Sequence, residues 1–388
     1  MMRWLAALSI VALLFCGASP IDAASAPANY DAFGVTLLER LTQTTSSENV
    51  FISPVSIGVA LAMASDGAAG STRAQILHAL GLPMNNAANA NADLIAALQG
   101  NADAKVGLAN AIWLRADLPP NPAYVKLLET QYGATAKAVD FASPQAAATI
   151  NDWVKSQTLG LIDHLIDHTN ALDFAYLTNA LAFQAKWSSP FKPQSTAPHP
   201  FTSADGTKTT VQMMHQDGEF STSRGNGYDV VRLPYGKGGF AAYVILPDAQ
   251  DTTELLKHFT GASFNHIITS LQPKRIGLSL PRFTASYHTG LIPALKAMGI
   301  ETAFGPHADF SPMHAPPPFL SVSSVEHATY LRVDEAGTTA AAATSVGVTE
   351  LINLARPLKQ IVVDHPFVFA LRDERSGTLL FLGTIRKL

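Results

Sequence analysis

The chain has 388 residues, of which 47% are hydrophobic and 14% charged, so it can bury a sizeable core and shows no compositional sign of disorder. Its formal charge of −4 at pH 7 gives no electrostatic reason to expect a nucleic acid or an anionic membrane as partner. On length alone, about two or three domains would be usual.

The N-terminus has the pattern of a secretory signal peptide. Arg3 precedes an apolar run over residues 4–15, and small residues follow it, as in leaders that are removed on export. The apolar run is shorter than the roughly 20 residues that a membrane-spanning helix needs. We expect cleavage near Ala23, although Ala18 and Ala26 also precede candidate sites.

The chain's one cysteine, Cys16, lies inside this leader. A mature exported chain would therefore have no internal disulfide. Lipid attachment is the alternative use of Cys16, but Phe15 is bulky where lipoprotein leaders resemble one another in having a small residue. We divide the chain into a signal peptide, residues 1–23, and a single domain, residues 24–388. We expect the protein to be secreted, to the periplasm or to the extracellular space.

The first half of the chain shows the apolar spacing of amphipathic helices. One helix starts with Ser53 and Pro54, a pair typical of an N-cap and a first helical turn. The predicted helices cover residues 27–43, 54–64, 72–80, 93–98, 122–132 and 145–161.

Beyond about residue 177, short β-type runs separated by Gly and Pro replace the helical pattern. The predicted strands cover residues 240–246, 276–280, 320–325 and 361–371. A helix-rich half followed by a strand-rich half indicates a mixed α+β protein instead of a regular βαβ alternation.

One long segment, residues 333–361, has no stable apolar face. Its four successive alanines favour helix locally, so a helix or a passive linker is one interpretation. The segment lies directly before an apolar run that predicts a core strand. This position bears on the function of the segment, as the resemblance described below shows.

Motifs of common enzymes fail in this sequence. No G-x-S-x-G elbow is present, and Ser189 to Lys192 forms S-x-x-K without a following K-T-G. His164 and His168 would share one face of a helix, but the glutamate of H-E-x-x-H is missing, and the nearby aspartates indicate a solvated surface. We expect no catalytic residue, no metal and no cofactor.

A series of short motifs, in order over residues 30–388, resembles the serpin family. The first members are Asn49-Val-Phe-Ile-Ser53-Pro54-Val-Ser56-Ile57, Asn110-Ala-Ile-Trp113, Ile150-Asn151-Asp-Trp153-Val154 and Leu177-Thr-Asn179-Ala180-Leu-Ala-Phe183 with Trp187. The later members are Leu280-Pro281-Arg-Phe283, Ala308-Asp309-Phe-Ser311 and Asp364-His365-Pro366-Phe367-Val-Phe369. Each motif is weakly specific, and their shared order carries the resemblance.

The resemblance implies an α+β serpin fold of about nine helices around three β-sheets, with an exposed reactive-centre loop at about residues 335–357. It also implies a secreted bacterial member of the inhibitory type, which is not an enzyme. Such a protein is a suicide substrate that traps serine or cysteine endopeptidases in a covalent 1:1 complex. We expect a monomer. The alternative within the family is a non-inhibitory carrier, chaperone or storage protein.

The family's hinge pattern matches Glu335, Gly337 and Thr338 and continues in Ala340, Ala341, Ala342, Ala343 and Thr344. In a strand that enters a sheet, alternate side chains face the core. The even-numbered residues from Thr338 to Val348 are all small or β-branched and uncharged, so none would bring a charge into the core. Glycine at 337 lets the chain bend. A passive linker would not need this alternation.

By the same resemblance, a polar cluster lies under the sheet where relatives open to admit the loop. Its members are Ser53, Ser56, Asn179 and His327. Trp187 matches the tryptophan beside which the hinge enters. A core histidine is more often only hydrogen-bonded, and an ordinary core indole is the alternative interpretation of Trp187.

Counting the family's interval from Glu335 places the cleaved bond between Leu351 and Ile352, which favours a chymotrypsin-like or cathepsin G-like target. The bonds after Leu354 and Arg356 remain alternatives, although the proline that follows Arg356 lacks an amide hydrogen.

Heparin-type polyanions activate some relatives by binding to a basic helix. Residues 74–104, where that site would lie, contain no Lys or Arg. We therefore expect no activator of this kind.

Overall fold

The computed structural model describes residues 29–45, 47–84, 87–100, 103–314, 320–338 and 358–388. Nine α-helices occur within these ranges: α1 (Asp31–Gln43), α2 (Pro54–Asp66), α3 (Gly70–Leu80), α4 (Ala87–Gln99), α5 (Pro122–Leu127), α6 (Ala146–Gln157), α7 (Thr253–Lys257), α8 (Gly261–Thr269) and α9 (Ile292–Ala297). No helix in the described part of the chain is long and apolar enough to cross a membrane.

Helices occur at all six positions predicted in the first half. The start of the first prediction, residues 27 and 28, lies outside the described residues. The segment 122–132 is α-helical only to Leu127 and ends in a π-helical turn, Leu128–Tyr132. α2 begins as predicted, because the side chain of Ser53 accepts a hydrogen bond from the Ser56 amide and Pro54 occupies the first turn.

Fifteen strands occur in the same ranges: β1 (Val50–Ile52), β2 (Ala104–Arg115), β3 (Thr135–Val139), β4 (Ala175–Lys186), β5 (Ala197–Thr202), β6 (Lys208–Gly225), β7 (Tyr228–Tyr235), β8 (Phe240–Pro247), β9 (Gln272–Pro281), β10 (Phe283–Gly290), β11 (Ser324–Asp334), β12 (Gly337–Thr338), β13 (Lys359–Val362), β14 (Phe367–Asp373) and β15 (Leu379–Ile385).

Two strand predictions need correction. The strand predicted at 320–325 begins only at Ser324 and runs on to Asp334, because residues 320–323 are a loop whose Val322 amide bonds to the Ala303 carbonyl. The strand predicted at 361–371 is two strands, β13 and β14. Pro366 lies in the break between them and cannot donate a backbone hydrogen bond.

The strands form two hydrogen-bonded sheets in the described residues. The six-stranded sheet has the order β10-β11-β12-β4-β2-β3, and the nine-stranded sheet has the order β1-β15-β14-β8-β7-β6-β9-β13, with β5 paired to β6. The α+β fold class is confirmed. The described strands form two sheets where the resemblance implies three. The reason is that β6 pairs with both β7 and β9 and so joins the strands of two expected sheets into one.

The six-stranded sheet has a different partner on each face. Its inner face packs on α2 and on the nine-stranded sheet, as in the ring contact between Phe183 of β4 and Phe240 of β8, whose centroids are 5.3 Å apart. Its outer face is covered by α6, where Trp153 meets Trp113 of β2 edge to face at 5.3 Å.

The C-terminal end of α6 lies very close to β2. A Cβ added to Gly107 of β2 would stand 2.9 Å from both the Gln157 carbonyl oxygen and the Thr158 Cα. Leu159, which follows, has the left-handed φ of 58°, a conformation that costs an L-residue about 1–2 kcal/mol. The glycine therefore permits a close contact between the end of α6 and the sheet.

Gly107→Ala should lower the free energy of unfolding by about 1–3 kcal/mol, because the new methyl group meets backbone atoms that cannot rotate away. Gly218→Ala is the matched control, since a Cβ at this β6 glycine has only Phe220 within 4 Å, at 3.6 Å. Thermal and urea unfolding of both variants measure the difference. Equal losses in the two variants would contradict the prediction.

Candidate functional site

The contact between β4 and β11, called here the seam, is the central feature of the six-stranded sheet. The two strands are parallel and pair over seven positions, from Tyr176 opposite Ser324 to Ala182 opposite Tyr330. Beyond Tyr330 they diverge, and β12 lies between them, antiparallel to both. The seam is therefore open at one end, where the chain after β11 has turned back into the sheet.

Thr338, the second residue of β12, is fully buried in this opening. It lies opposite Val333 of β11 and Ala185 of β4, both of which face the main core. Its Oγ1 lies 2.6 Å from the hydroxyl of Tyr235 on β7. The predicted inward orientation of position 338 is what the structure shows.

Gly337 lies where no side chain fits. Its φ is 150°, and an added Cβ would stand 2.2 Å from the Ala185 carbonyl oxygen and 2.7 Å from the Lys186 Cα. The sequence predicts that glycine at 337 lets the chain bend. The structure shows a second reason, which is that the backbone of Gly337 lies against the backbone of β4.

Trp187 fixes the turn that precedes β12. Its backbone amide donates to the Ala336 carbonyl at 3.0 Å, and its indole N–H donates to the Asp334 carbonyl at 2.9 Å. Its ring stacks on Tyr235, with centroids 4.2 Å apart. Trp187 thus has contacts with the hinge beyond those of an ordinary core indole.

Glu335 is anchored at the same end of the sheet. The Nε of Arg282 donates to both of its carboxylate oxygens at 2.7 Å, and the Thr196 hydroxyl donates to one of them at 2.5 Å. Burial opposes ionisation, but these hydrogen bonds hold the pKa of Glu335 below its usual value. The backbone carbonyl of Glu335 also accepts from the Phe191 amide at 2.9 Å.

The four residues of the predicted polar cluster meet beneath the seam. His327 of β11 and Asn179 of β4 are paired across it, with the His327 Nδ1 2.5 Å from the Asn179 Oδ1. The other ring nitrogen accepts from the Ser53 amide at 3.1 Å, and the Ser56 hydroxyl donates to Asn179 at 3.4 Å. All four residues are fully buried. The cluster therefore connects both strands of the seam to α2.

Burial lowers the pKa of His327 to about 3. The ring is therefore neutral at physiological pH, with Nδ1 as donor and Nε2 as acceptor in the contacts above. Because the ring is neutral, His327 can exchange one hydrogen-bond partner for another without a charge having to move.

The structure brings together every predicted site residue that it describes, in two groups, one at the open end of the seam and one at its middle. The residues Ala340 to Thr344, Leu351 and Ile352 lie outside the described residues. Tyr235, Arg282 and Thr196 were missed by the sequence reasoning. Arg282 could have been found, because it is a charged residue between the apolar residues of the motif Leu280-Pro281-Arg-Phe283. Nothing in the sequence distinguishes Tyr235.

His164 and His168 lie in a loop after α6, so the helical face considered for them does not exist. His164 pairs instead with Asp167, at 2.5 Å. Within the ranges described, no group of three or more His, Cys, Asp or Glu residues is arranged to hold a metal ion.

The sequence matches the family profile described as Serpin (serine protease inhibitor) over residues 28–388. Among curated relatives, Serpin-Z2A of Triticum aestivum is 32% identical over 382 residues, covering 92% of this chain and 95% of its own. Other relatives come from animals and archaea, such as neuroserpin of Gallus gallus at 29% identity, over 90% of this chain and 89% of its own.

Solved structures agree with the fold. Human thyroxine-binding globulin superposes with a TM-score of 0.87 at 28% identity, covering 93% of this chain and 97% of its own. Tengpin, a thermophilic serpin in the native state, has a TM-score of 0.86 at 30% identity, covering 93% of this chain and 94% of its own. The profile match spans almost all of the chain, including the seam and both groups of site residues. The chain therefore belongs to the serpin family.

Proposed function

We propose that this protein is a suicide-substrate inhibitor of serine or cysteine endopeptidases that traps the acyl-enzyme by inserting its cleaved loop into the six-stranded sheet. Serpins are generally protease inhibitors and not catalytic enzymes. One observation supports the proposal most directly: Gly337 and Thr338 already form a short strand between β4 and β11. The hinge lies at the start of the path that full insertion would follow.

The register of β12 extends this path. Each further residue of the loop would oppose the next residue down β11 and β4, so that Thr344 would arrive between His327 and Asn179. Side chains of directly opposed residues share a face of the sheet, so Thr344 would point into the polar cluster. A threonine hydroxyl can take over hydrogen bonds that the two strands exchange in the closed seam.

The mechanism then follows from geometry. The protease cleaves the loop, its nucleophile keeps the carbonyl carbon of residue 351 as an acyl-enzyme, and the new amino group of residue 352 leaves. Insertion of about 15 residues at roughly 3.3 Å each would carry the acyl-enzyme on the order of 50 Å. The protease supplies the catalytic chemistry, and the protein supplies a sheet that gains a strand.

We further propose that residues 1–23 are a signal peptide, that the protein is exported to the periplasm or extracellular space, and that it acts as a monomer of bacterial origin. Its expected target is chymotrypsin-like or cathepsin G-like. A crystal structure of native protease nexin-1 with heparin also matches, at 27% identity and a TM-score of 0.84 over 92% of this chain and 98% of that one. We nevertheless propose no heparin-type activator, because residues 74–104 contain no Lys or Arg.

A non-inhibitory carrier is the second candidate, because human thyroxine-binding globulin superposes so well. The two candidates differ in what they require of the hinge. A carrier has no need for small uncharged residues at every even position from Thr338 to Val348, whereas an inserting strand does. This difference favours the inhibitor.

Thr338→Arg should convert the protein from inhibitor to substrate, because an arginine would keep position 338 out of its fully buried place beside Tyr235, and insertion could then begin only by burying the charge there. Burying an unpaired charge costs on the order of several kcal/mol, so trapping should fall at least about tenfold while cleavage continues. Thr339→Arg is the matched control. Side chains alternate along a strand and Thr338 faces inward, so position 339 is expected to face outward. Denaturing gels with a protease panel measure the covalent complex. If the Thr338→Arg variant forms as much covalent complex as the parent protein does, the insertion mechanism is wrong.

Cleavage of the loop should raise the thermal stability sharply. An inserted strand of residues 339–351 adds backbone hydrogen bonds on both of its sides, each worth about 1 kcal/mol, and these outnumber the bonds of the seven-pair seam that it replaces. Melting curves before and after limited proteolysis measure the change. An unchanged midpoint would favour the carrier.

The peptide released from the complex should begin at Ile352. Mass spectrometry of this C-terminal fragment identifies the cleaved bond. A fragment beginning at Ala355 would show that the register is shifted by three residues. One beginning at Pro357 would overturn the assignment and indicate a trypsin-like target.

A further inference from the structure

Tyr235 connects the two sheets directly beneath the hinge. It is the last residue of β7 in the nine-stranded sheet, and its ring stacks on Trp187, with centroids 4.2 Å apart. Its hydroxyl lies 2.6 Å from the Oγ1 of Thr338, and either hydroxyl can donate in this contact. Tyr235 and Thr338 are both fully buried. A tyrosine of the other sheet is therefore bonded to the part of the hinge that has entered the seam.

β12 has few interactions that hold it in the six-stranded sheet. It consists of two residues, each paired once with β11 and once with β4. Ordering the backbone of a residue costs conformational entropy, so a strand this short depends on further contacts. Gly337 has no side chain to provide one, and the side-chain hydrogen bond that the structure gives Thr338 is the one with Tyr235.

The turn before β12 is fixed by other groups. The Asp334 carboxylate accepts hydrogen bonds from the amides of Ala336 and Gly337 at 3.0 and 3.3 Å. Trp187 donates to the carbonyls of Asp334 and Ala336, as described above. Loss of the tyrosine hydroxyl would therefore weaken the hold on β12 and leave this turn in place.

The contact between Tyr235 and Thr338 does not oppose insertion. The inserted loop would continue β12 in the same register, so Thr338 would stay beside Tyr235 throughout. If the hinge withdraws from the sheet instead, both hydroxyls lose this partner. The hydrogen bond thus favours the inserted hinge over the withdrawn hinge and is kept while the rest of the loop enters.

We propose that Tyr235 is a positioning residue that holds the hinge in the sheet before cleavage, so that insertion starts from an existing strand. This inference rests on the proposed function. After cleavage, insertion competes with hydrolysis of the acyl-enzyme by water. A loop whose hinge has withdrawn must first order Gly337 and Thr338 again, which delays its insertion. Tyr235 therefore raises the share of cleaved protein that ends as covalent complex.

The contact also accounts for the residue type at position 338. A small uncharged residue is sufficient for entry into the sheet, as the alanines at 340 and 342 illustrate. Burial raises the pKa of Tyr235 well above its usual value, so the phenol keeps its proton and needs a hydrogen-bond partner. Leaving a buried hydroxyl without a partner is unfavourable. Position 338 therefore requires a residue with a hydroxyl group.

Hydrogen exchange of the uncleaved protein measures the position of the hinge without a protease. In Tyr235→Phe, the peptide that spans Gly337 and Thr338 should exchange about fivefold faster, because the Thr338 hydroxyl loses its buried partner. Tyr243→Phe is the matched control. It removes the hydroxyl of another buried tyrosine, on β8, which donates to Glu374 at 2.8 Å. This control should leave the exchange of the hinge peptide unchanged.

A second substitution separates the hydrogen bond from the packing of the ring. Thr338→Val keeps the shape of the side chain and removes its hydroxyl. When both partners are apolar, neither leaves an unpaired polar group. Adding Tyr235→Phe to Thr338→Val should therefore not accelerate exchange. An equal acceleration by Tyr235→Phe with and without Thr338→Val would show an effect of packing alone and would overturn the inference, as would no acceleration.

Denaturing gels connect the hinge to inhibition. The ratio of covalent complex to cleaved, uncomplexed protein should fall about twofold or more in Tyr235→Phe, because a smaller fraction starts from the inserted hinge. It should not fall further when Tyr235→Phe is added to Thr338→Val. A ratio that Tyr235→Phe leaves unchanged would overturn the positioning role. If the parent forms no complex with any protease of the panel, the inhibitor is wrong, and the exchange experiment decides separately whether Tyr235 holds the hinge.

Discussion

The parallel pairing between β4 and β11 is the contact on which the proposed insertion depends. Seven pairs hold the seam closed, and an antiparallel strand placed between them would form hydrogen bonds on both of its sides. Every feature of the site relates to this contact. β12 opens one end of it, the cluster of Asn179 and His327 spans its middle on the inner face, and Ile162, Leu165 and Ile166 of the loop after α6 cover it on the outer face.

The two ends of this path differ in how firmly they are held. At the hinge, Gly337 lies against the backbone of β4 and Glu335 is fixed by Arg282. These contacts keep the start of the loop in register. At the far end, Ser323 joins the two sides of the seam, because its hydroxyl accepts from the Phe174 amide and its own amide donates to the Ala175 carbonyl. A strand that enters from the hinge would therefore meet these contacts last.

Sequence reasoning found the parts of the site that short motifs carry. Ser53 and His327 are 274 residues apart, and only the family resemblance joined them, because periodicity says nothing about contacts between distant elements. The α+β class and the helix positions followed from apolar spacing, and the inward orientation of Thr338 followed from alternation along the hinge that the family resemblance had identified. Tyr235 could not be found in this way, since it reaches Thr338 from the other sheet. The break between β13 and β14 was overlooked because its apolar flanks resemble one long strand.

The tryptophans give the molecule an optical consequence of its architecture. Three of the four in the chain lie in described residues: Trp187 donates its indole N–H to the turn before the hinge, while Trp113 and Trp153 form an edge-to-face pair between the sheet and α6. Indole emission responds to the loss of a hydrogen bond, and a coupled indole pair gives a near-ultraviolet circular dichroism signal that depends on its geometry. Motion at the two ends of the path is thereby recorded by two spectroscopically distinct reporters that need no label.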